Sequence, residues 1–296
     1  MNQPLSNFLD SCCKLFPANP VPLLRSLSPL CSSTSGALFA FKYLESVSHL
    51  TCTYLHEEIE PIMSGNAGQV FSVEGTQLSC MPHIRLKPGT VGSIINFPME
   101  SHTSHSEMKS SLVYVRWNVD VLGGTSHMVL MSILSKALAD LSNKRWPLAA
   151  KEAQCVLGFY EAVCSSDDIL PMELLRRTMD VDMAHGMDFL SILDGAMSLS
   201  VRLNRDSSIN NPEILSPSLK LCSYFAPYYP TKVFQCLLNA FGISYTQLAS
   251  TKGLVQGASL FTNILNDWNQ GRIGAYQNVQ AVLRLLSVLL DSICTT

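Results

Sequence analysis

Charge is scarce in this sequence. Asp, Glu, Lys and Arg make up 15% of its 296 residues, and the formal net charge is −3. That balance gives no basic footprint for nucleic acid and no acidic tail. Paired cysteine motifs are missing too. The ten cysteines are scattered, Cys12 and Cys13 are adjacent, and no CxxC occurs. We therefore expect reduced thiols of the cytosol or nucleus, not a disulfide framework. No run of about eighteen apolar residues is present, so no membrane-spanning helix is expected. The first residues lack a basic region followed by an apolar run, so no signal peptide is expected either. There is no glycine-rich nucleotide loop, no GxSxG elbow and no tetratricopeptide or ankyrin period.

What the sequence has in quantity is apolar residues, at 47%. Combined with the low charge, this suits a protein whose surface is partly covered by more protein. The chain reads as three zones. From Met1 to about Glu60 we expect three helices. "PLSNFLDSCCKLF" and "PVPLLRSLSPL" are separated by "PANP", and Leu38, Phe41, Leu44 and Val47 follow at helical spacing. Pro20 and Pro22 suit a first helical turn.

From Pro61 to His127 the pattern changes. Glycines at 65, 68, 75, 89, 92, 123 and 124 separate short extended runs: "GQVFSV", "SCMPHIRL", "GSIINF", "LVYVRWNV" and "SHMVL". Val113, Val115 and Trp117 alternate with Tyr114 and Arg116, the period of a half-buried strand. Such spacing predicts a small, strongly bent barrel. The polar stretch Pro98–Ser111 reads as a loop.

From Met128 to Thr296 the chain reads as helix throughout. Leu130, Leu134, Ala137, Leu138 and Leu141 form one stripe. Pro147 opens the next helix, where Ala149, Ala153, Val156, Tyr160 and Val163 face one way. Another helix runs from Pro230 to a glycine cap at Gly242. The last spans about Ile273 to Ile293, with Ala275, Val279, Val282, Leu286, Leu289 and Ile293 on its stripe. Stacked irregular helix pairs, an α-solenoid, fit this order; a compact all-helical domain is the alternative.

Catalytic and metal readings are poorly supplied. His102 and His105 form an HxxH, with His83 and His127 near in sequence, but a Ser-rich loop holds ligands badly, so no metal is expected. Cys12, Cys13, Cys31 and Cys52 lie on or beside apolar faces and read as packing thiols. "DVDMAHGMD", Asp180 to Asp188, gathers acids around His185 but reads as solvated helix with no nucleophile motif. "NKRWP", Asn143 to Pro147, reads as a helix C-terminus with cations against the dipole. No catalytic residue, metal or cofactor is assigned.

The order "NPVPLLRSLSPL", "LKPGTVGSII", "VYVRWNV", "APYYPTKVFQCLLNAFG" and "NVQAVLRLLSVLL" resembles the large inner-ring scaffold nucleoporins of the nuclear pore complex. The resemblance runs from about Asn19 to Leu290. Gly89, Thr90, Val91 and Gly92 match one family element; Val115, Arg116 and Trp117 match another. Where the family has an aromatic-rich hairpin after the Arg-Trp strand, this chain has "NVDVLGGTSH". The family's proteins are several times longer, so the resemblance implies a portion of one. It implies a mostly α fold: an irregular α-helical solenoid, residues 1–60 and 128–296, with a small SH3-like β-barrel inserted at 61–127. It also implies a non-catalytic scaffold at the nuclear envelope that supports nucleocytoplasmic transport. Its partners would be other inner-ring and linker nucleoporins and transport factors, with no direct nucleic acid. A helical-repeat adaptor with an SH3-like peptide-binding module is the rival. Proline-rich ligands need an aromatic groove. Of Phe71, Phe97, Tyr114 and Trp117, the alternation buries Trp117 and turns only Tyr114 outward.

Overall fold

The computed structural model describes residues 3–59, 62, 68–79, 81–95, 112–119, 125–143, 147–179, 188–204, 214–241 and 275–294. The chain is mostly helical with a small antiparallel sheet, and it divides into two compact units. The first holds Met1–Ser26 and Tyr43–Ser132; the second holds Leu27–Lys42 and Ile133–Thr296.

In chain order, α1 (Gln3–Cys13) and α2 (Val21–Leu27) lead through a 3-10 turn at Ser28–Ser32 to α3 (Thr34–Glu45). Pro20 and Pro22 flank the first residue of α2, where a missing N–H costs nothing. Phe41, Leu44 and Val47 are buried as expected, but Leu38 is exposed.

The helical reading up to Glu60 is wrong beyond Glu45. The next element is strand β1 (His49–Leu55). Extrapolating the stripe through Val47 hid it. "HLTCTYL" carries β-branched and aromatic residues, and Leu50, Cys52 and Tyr54 are buried at period two. A single helical turn α4 (His56–Ile59) follows. Then come β2 (Gln69–Phe71), β3 (Gln77–Leu78), β4 (Met81–Arg85), β5 (Val91–Ile95) and β6 (Leu112–Asn118). The expected strand at "SHMVL" is instead the start of α5 (Thr125–Ser142). A short apolar run does not distinguish strand from buried helix, and this one is continuous with the stripe that follows it.

The four-stranded sheet is antiparallel in the order β1-β6-β5-β2, and β3 and β4 form a separate ribbon. Among the described residues this sheet does not close on itself. The unit around it also differs from the expected insertion at 61–127. It draws in α1 and β1, because β6 pairs along all seven residues of β1, from His49↔Asn118 to Leu55↔Leu112.

The second unit continues from α5 with α6 (Leu148–Ser166), α7 (Leu170–Met179), α8 (Phe189–Asn204), α9 (Leu215–Phe225), α10 (Pro230–Phe241) and α11 (Ala275–Cys294). The stripes expected on α5 and α6 are buried in full. Pro147 stands just before α6 at its N-cap position. On α11 the packed seam is Ala281, Val282, Leu285 and Leu289, which keeps Val282 and Leu289 of the expected stripe and leaves Val279 and Leu286 half-buried at its flank.

Candidate interaction surface

Of the seven residues singled out in "GTVG" and "VRW", Gly92 and Trp117 are register partners on adjacent strands. One row crosses the whole sheet: Leu50, Trp117, Gly92 and Val70, contributed by β1, β6, β5 and β2 in turn. All four are buried. Gly92 is required by its neighbours. A Cβ there would stand 2.7 Å from Trp117 Cε3 and 2.7 Å from Val70 Cγ2, far inside carbon contact. The second glycine of the motif is thus room for the indole. The first has another reason. Lys87-Pro88-Gly89-Thr90 is a turn closed by Thr90 N–H to Lys87 O at 3.1 Å, with Gly89 at φ 83°. Proline followed by a positive-φ glycine is the signature of a type II turn.

Ser72 pins that turn. Its hydroxyl donates to Lys87 O at 2.5 Å and accepts from Thr90 N–H at 2.9 Å, while its carbonyl accepts from Gly89 N–H at 2.8 Å. Thr90 adds its own hydroxyl bond to Lys87 O at 2.6 Å. Val91 points outward, and with Phe71, its cross-strand partner, leaves two apolar side chains exposed at the β2 end.

Trp117 also carries a polar link. Its Nε1–H donates to Tyr54 Oη at 3.0 Å, and Tyr54 O–H donates to Gln77 O at 2.8 Å. The two rings meet edge to face at 6.4 Å. This relay ties the sheet to the β3–β4 ribbon and satisfies an indole that is fully buried. The expectation that Trp117 is core is therefore met. Of the remaining groove aromatics, Tyr114 is half-buried, Phe71 is exposed, and Phe97 lies outside the described residues.

The β1 edge is covered along its length. Thr51 N–H donates to Phe16 O at 2.8 Å, Thr53 N–H to Ser79 Oγ at 3.1 Å, and Leu55 N–H to Glu58 Oε2 at 2.8 Å. Three donors that would otherwise template another strand are occupied. The β1 edge therefore offers none of these three donors to a peptide that would extend the sheet.

Polar groups gather on the other side of β6. Arg116, half-buried, acts on both the Cys13 thiol and His49. Burial pushes the Cys13 thiol up to about 11, against the pull of Arg116, and Asp10 adds to the rise. Tyr43, which donates to Asp10 Oδ1 at 3.1 Å, is also raised, chiefly by burial. His49 is lowered, by burial first and then by Arg116. A thiol so placed holds almost no thiolate at neutral pH and so lacks the nucleophile's form. Elsewhere Cys31 is raised to about 11 and Cys236 to about 12, and Cys164 and Cys222 are also raised, in each case mainly by burial. Cys12, Cys13, Cys31, Cys52, Cys155, Cys164, Cys222 and Cys236 are free thiols.

His102, His105, Asp180 to Met187 and Lys144 to Trp146 lie outside the described residues, as do the loop from Pro98 to Ser111 and the cap at Gly242. Asp188 is described and pairs with Lys232 at 3.4 Å. Among the described residues no three His, Cys, Asp or Glu side chains gather as metal ligands would. None of the described helices is long and apolar enough to cross a membrane.

One titrating group was missed by sequence reading. Asp194 accepts from Asn239 Nδ2 at 2.9 Å through Oδ2, while its buried Oδ1 has no hydrogen-bond partner. Burial raises its carboxyl, and the Asn239 bond only partly opposes this. The folded state then binds the proton more tightly than the unfolded chain does. Stability falls as pH rises from the ordinary value of 3.8 through the folded one. Asp194→Asn should therefore raise Tm at pH 7, and the gap should narrow as both proteins are taken toward pH 4. An equal Tm difference at the two pH values would show that the carboxyl is not strained by charge.

Compared with known proteins, the chain matches no family model and no curated sequence.

Proposed function

We propose that this chain is a structural, non-catalytic segment of the nuclear pore inner-ring scaffold, a solenoid stretch carrying an SH3-like sheet unit. The observation that carries the reading is the ordered chain pattern of the resemblance, together with a packing that gives its motif residues purely structural work. Gly89 makes a turn, Gly92 makes room, and Trp117 fills the core. None of the three is held out toward a ligand.

The helical unit adds support. α8 packs on α9 and α10, the next two described helices, while α9 also packs on α6 and α11 farther off in the chain. That is how stacked helical layers bury a continuous core. In this reading the protein presents helix faces and a sheet surface to inner-ring and linker nucleoporins and to transport factors, and so supports nucleocytoplasmic transport. The peptide-binding adaptor is the weaker reading, because Trp117 is consumed by the core and the β1 edge is covered.

The test is placement and company in cells. A tagged chain should mark the nuclear rim, and inner-ring nucleoporins should be enriched with it from nuclear envelopes. An even cytosolic distribution, with proline-rich proteins enriched instead, would replace the scaffold with the adaptor.

A further inference from the structure

Helix α11 has two apolar faces, and among the described residues only one packs against neighbouring helices. Ala281, Val282, Leu285 and Leu289 are buried, and α11 packs against α9 and α10. At about 100° per residue, Val279, Leu283, Leu286 and Leu290 lie on a second stripe, roughly a third of a turn round from the first. Leu283 and Leu290 are 58% and 63% exposed, and Val279 and Leu286, on the stripe's side nearer the buried seam, are half-buried. Single exposed leucines are ordinary, but this set is spaced four, three and four. That is the a/d repeat a helix uses to receive another helix, knobs into holes.

We propose that this stripe is a self-association seam, and that its occupant is α11 of a second copy, antiparallel across a two-fold axis. The pattern is self-complementary about a point between Leu283 and Leu286. That axis sets Leu283 against Leu286 of the second copy, and Val279 against Leu290 of the second copy, so apolar layers meet in register. A two-fold interface needs this property, since the same patch serves both sides. Charge agrees with it. The exposed positions next to the stripe on its far flank, Gln280 and Ser287, are neutral, and the exposed Asp291 beyond them lies level with Asn278 of the second copy, so the copies bring no like charges together. The cation nearest by sequence, Arg284, is drawn to its own chain, with its guanidinium 4.8 Å over the Tyr224 ring of α9. This inference does not depend on the pore reading.

The experiment uses the full chain in light scattering and sedimentation over a concentration series. A monomer–dimer equilibrium is expected. Leu283→Glu with Leu290→Glu places charges on exposed positions, so the fold and its far-ultraviolet signal should persist. The dimer should weaken by about a hundredfold or more as a buried interface centre is lost. A second variant, Gln280→Cys with Ser287→Cys, reports geometry. Oxidation should give interchain links between positions 280 and 287, identified by peptide mass spectrometry. A monomer at every concentration would overturn the proposal. So would a dimer unaffected by the glutamates, which would place association on another face. Links of 280 to 280 would overturn the antiparallel seam.

Discussion

Trp117→Ala should cost the sheet unit about 3–5 kcal/mol, the usual penalty for emptying a fully buried aromatic site. The position has little means of relaxing. Leu50, Gly92 and Val70 share its row on paired strands, so the backbone on either side is held by ladder hydrogen bonds. Gly92 has no side chain to move into the void. Tyr54 loses the indole donor but keeps its own bond to Gln77 O, so the defect is chiefly one of volume and contact. Chemical denaturation followed by limited proteolysis should show early cleavage in residues 43–132, while the far-ultraviolet signal of α6 to α11 survives to higher denaturant. A single transition in which both are lost together would mean that the two units unfold as one.

The same residues show how much of the fold the sequence could disclose. Period two in "LVYVRWNV" and the Pro-Gly pair in "LKPGTVG" are local signals, and both led to the right local structure. The identity of the sheet's other edge was not local. β1 is a strand because β6, some sixty residues on, pairs with it, and a helical stripe running through Val47 concealed the change of period. The same holds for the segment Lys14–Ala18 after α1, which is tied to the sheet through bonds at Thr51 that no spacing in "DSCCKLFPAN" announces. In the helical zone the stripes on α5 and α6 were legible because a buried face repeats along one helix. Their partners were not, since α9 meets α6 across a long stretch of chain. Closure of the sheet into a barrel was expected from glycine spacing, yet spacing sets where turns fall and says nothing of whether β1 and β2 join. The roles of the motif residues were equally hidden. Gly92 and Trp117 are twenty-five positions apart in the sequence, and only the register of β5 on β6 makes one the reason for the other.

A comparable loss is expected in the helical unit from Phe189→Ala. Phe189 opens α8 and is fully buried between two other rings, 5.4 Å from Tyr160 on α6 and 5.6 Å from Phe225 on α9. Phe159 extends the cluster at 5.2 Å from Tyr160. The tilted and edge-on ring geometries are the favourable ones, each adding about 0.5–1.5 kcal/mol beyond buried area. Removing the middle ring ends both contacts and opens a cavity where three helices converge, so the cost should again be about 3–5 kcal/mol. Phe159 and Phe225 are held on their own helices and cannot both swing in. Leu283→Ala on α11 is the matched control: a large apolar side chain, but exposed, whose truncation should stay within about 0.5 kcal/mol in the monomer. The diagnostic result is which unit gives way. Phe189→Ala should lower the transition of the α6–α11 helices and leave the Trp117–Tyr54 pair intact, as read by protection of residues 43–132 from protease. If Phe189→Ala exposes those residues as early as Trp117→Ala does, the aromatic cluster supports both units, and the proposed scaffold transmits strain from its helices to its sheet.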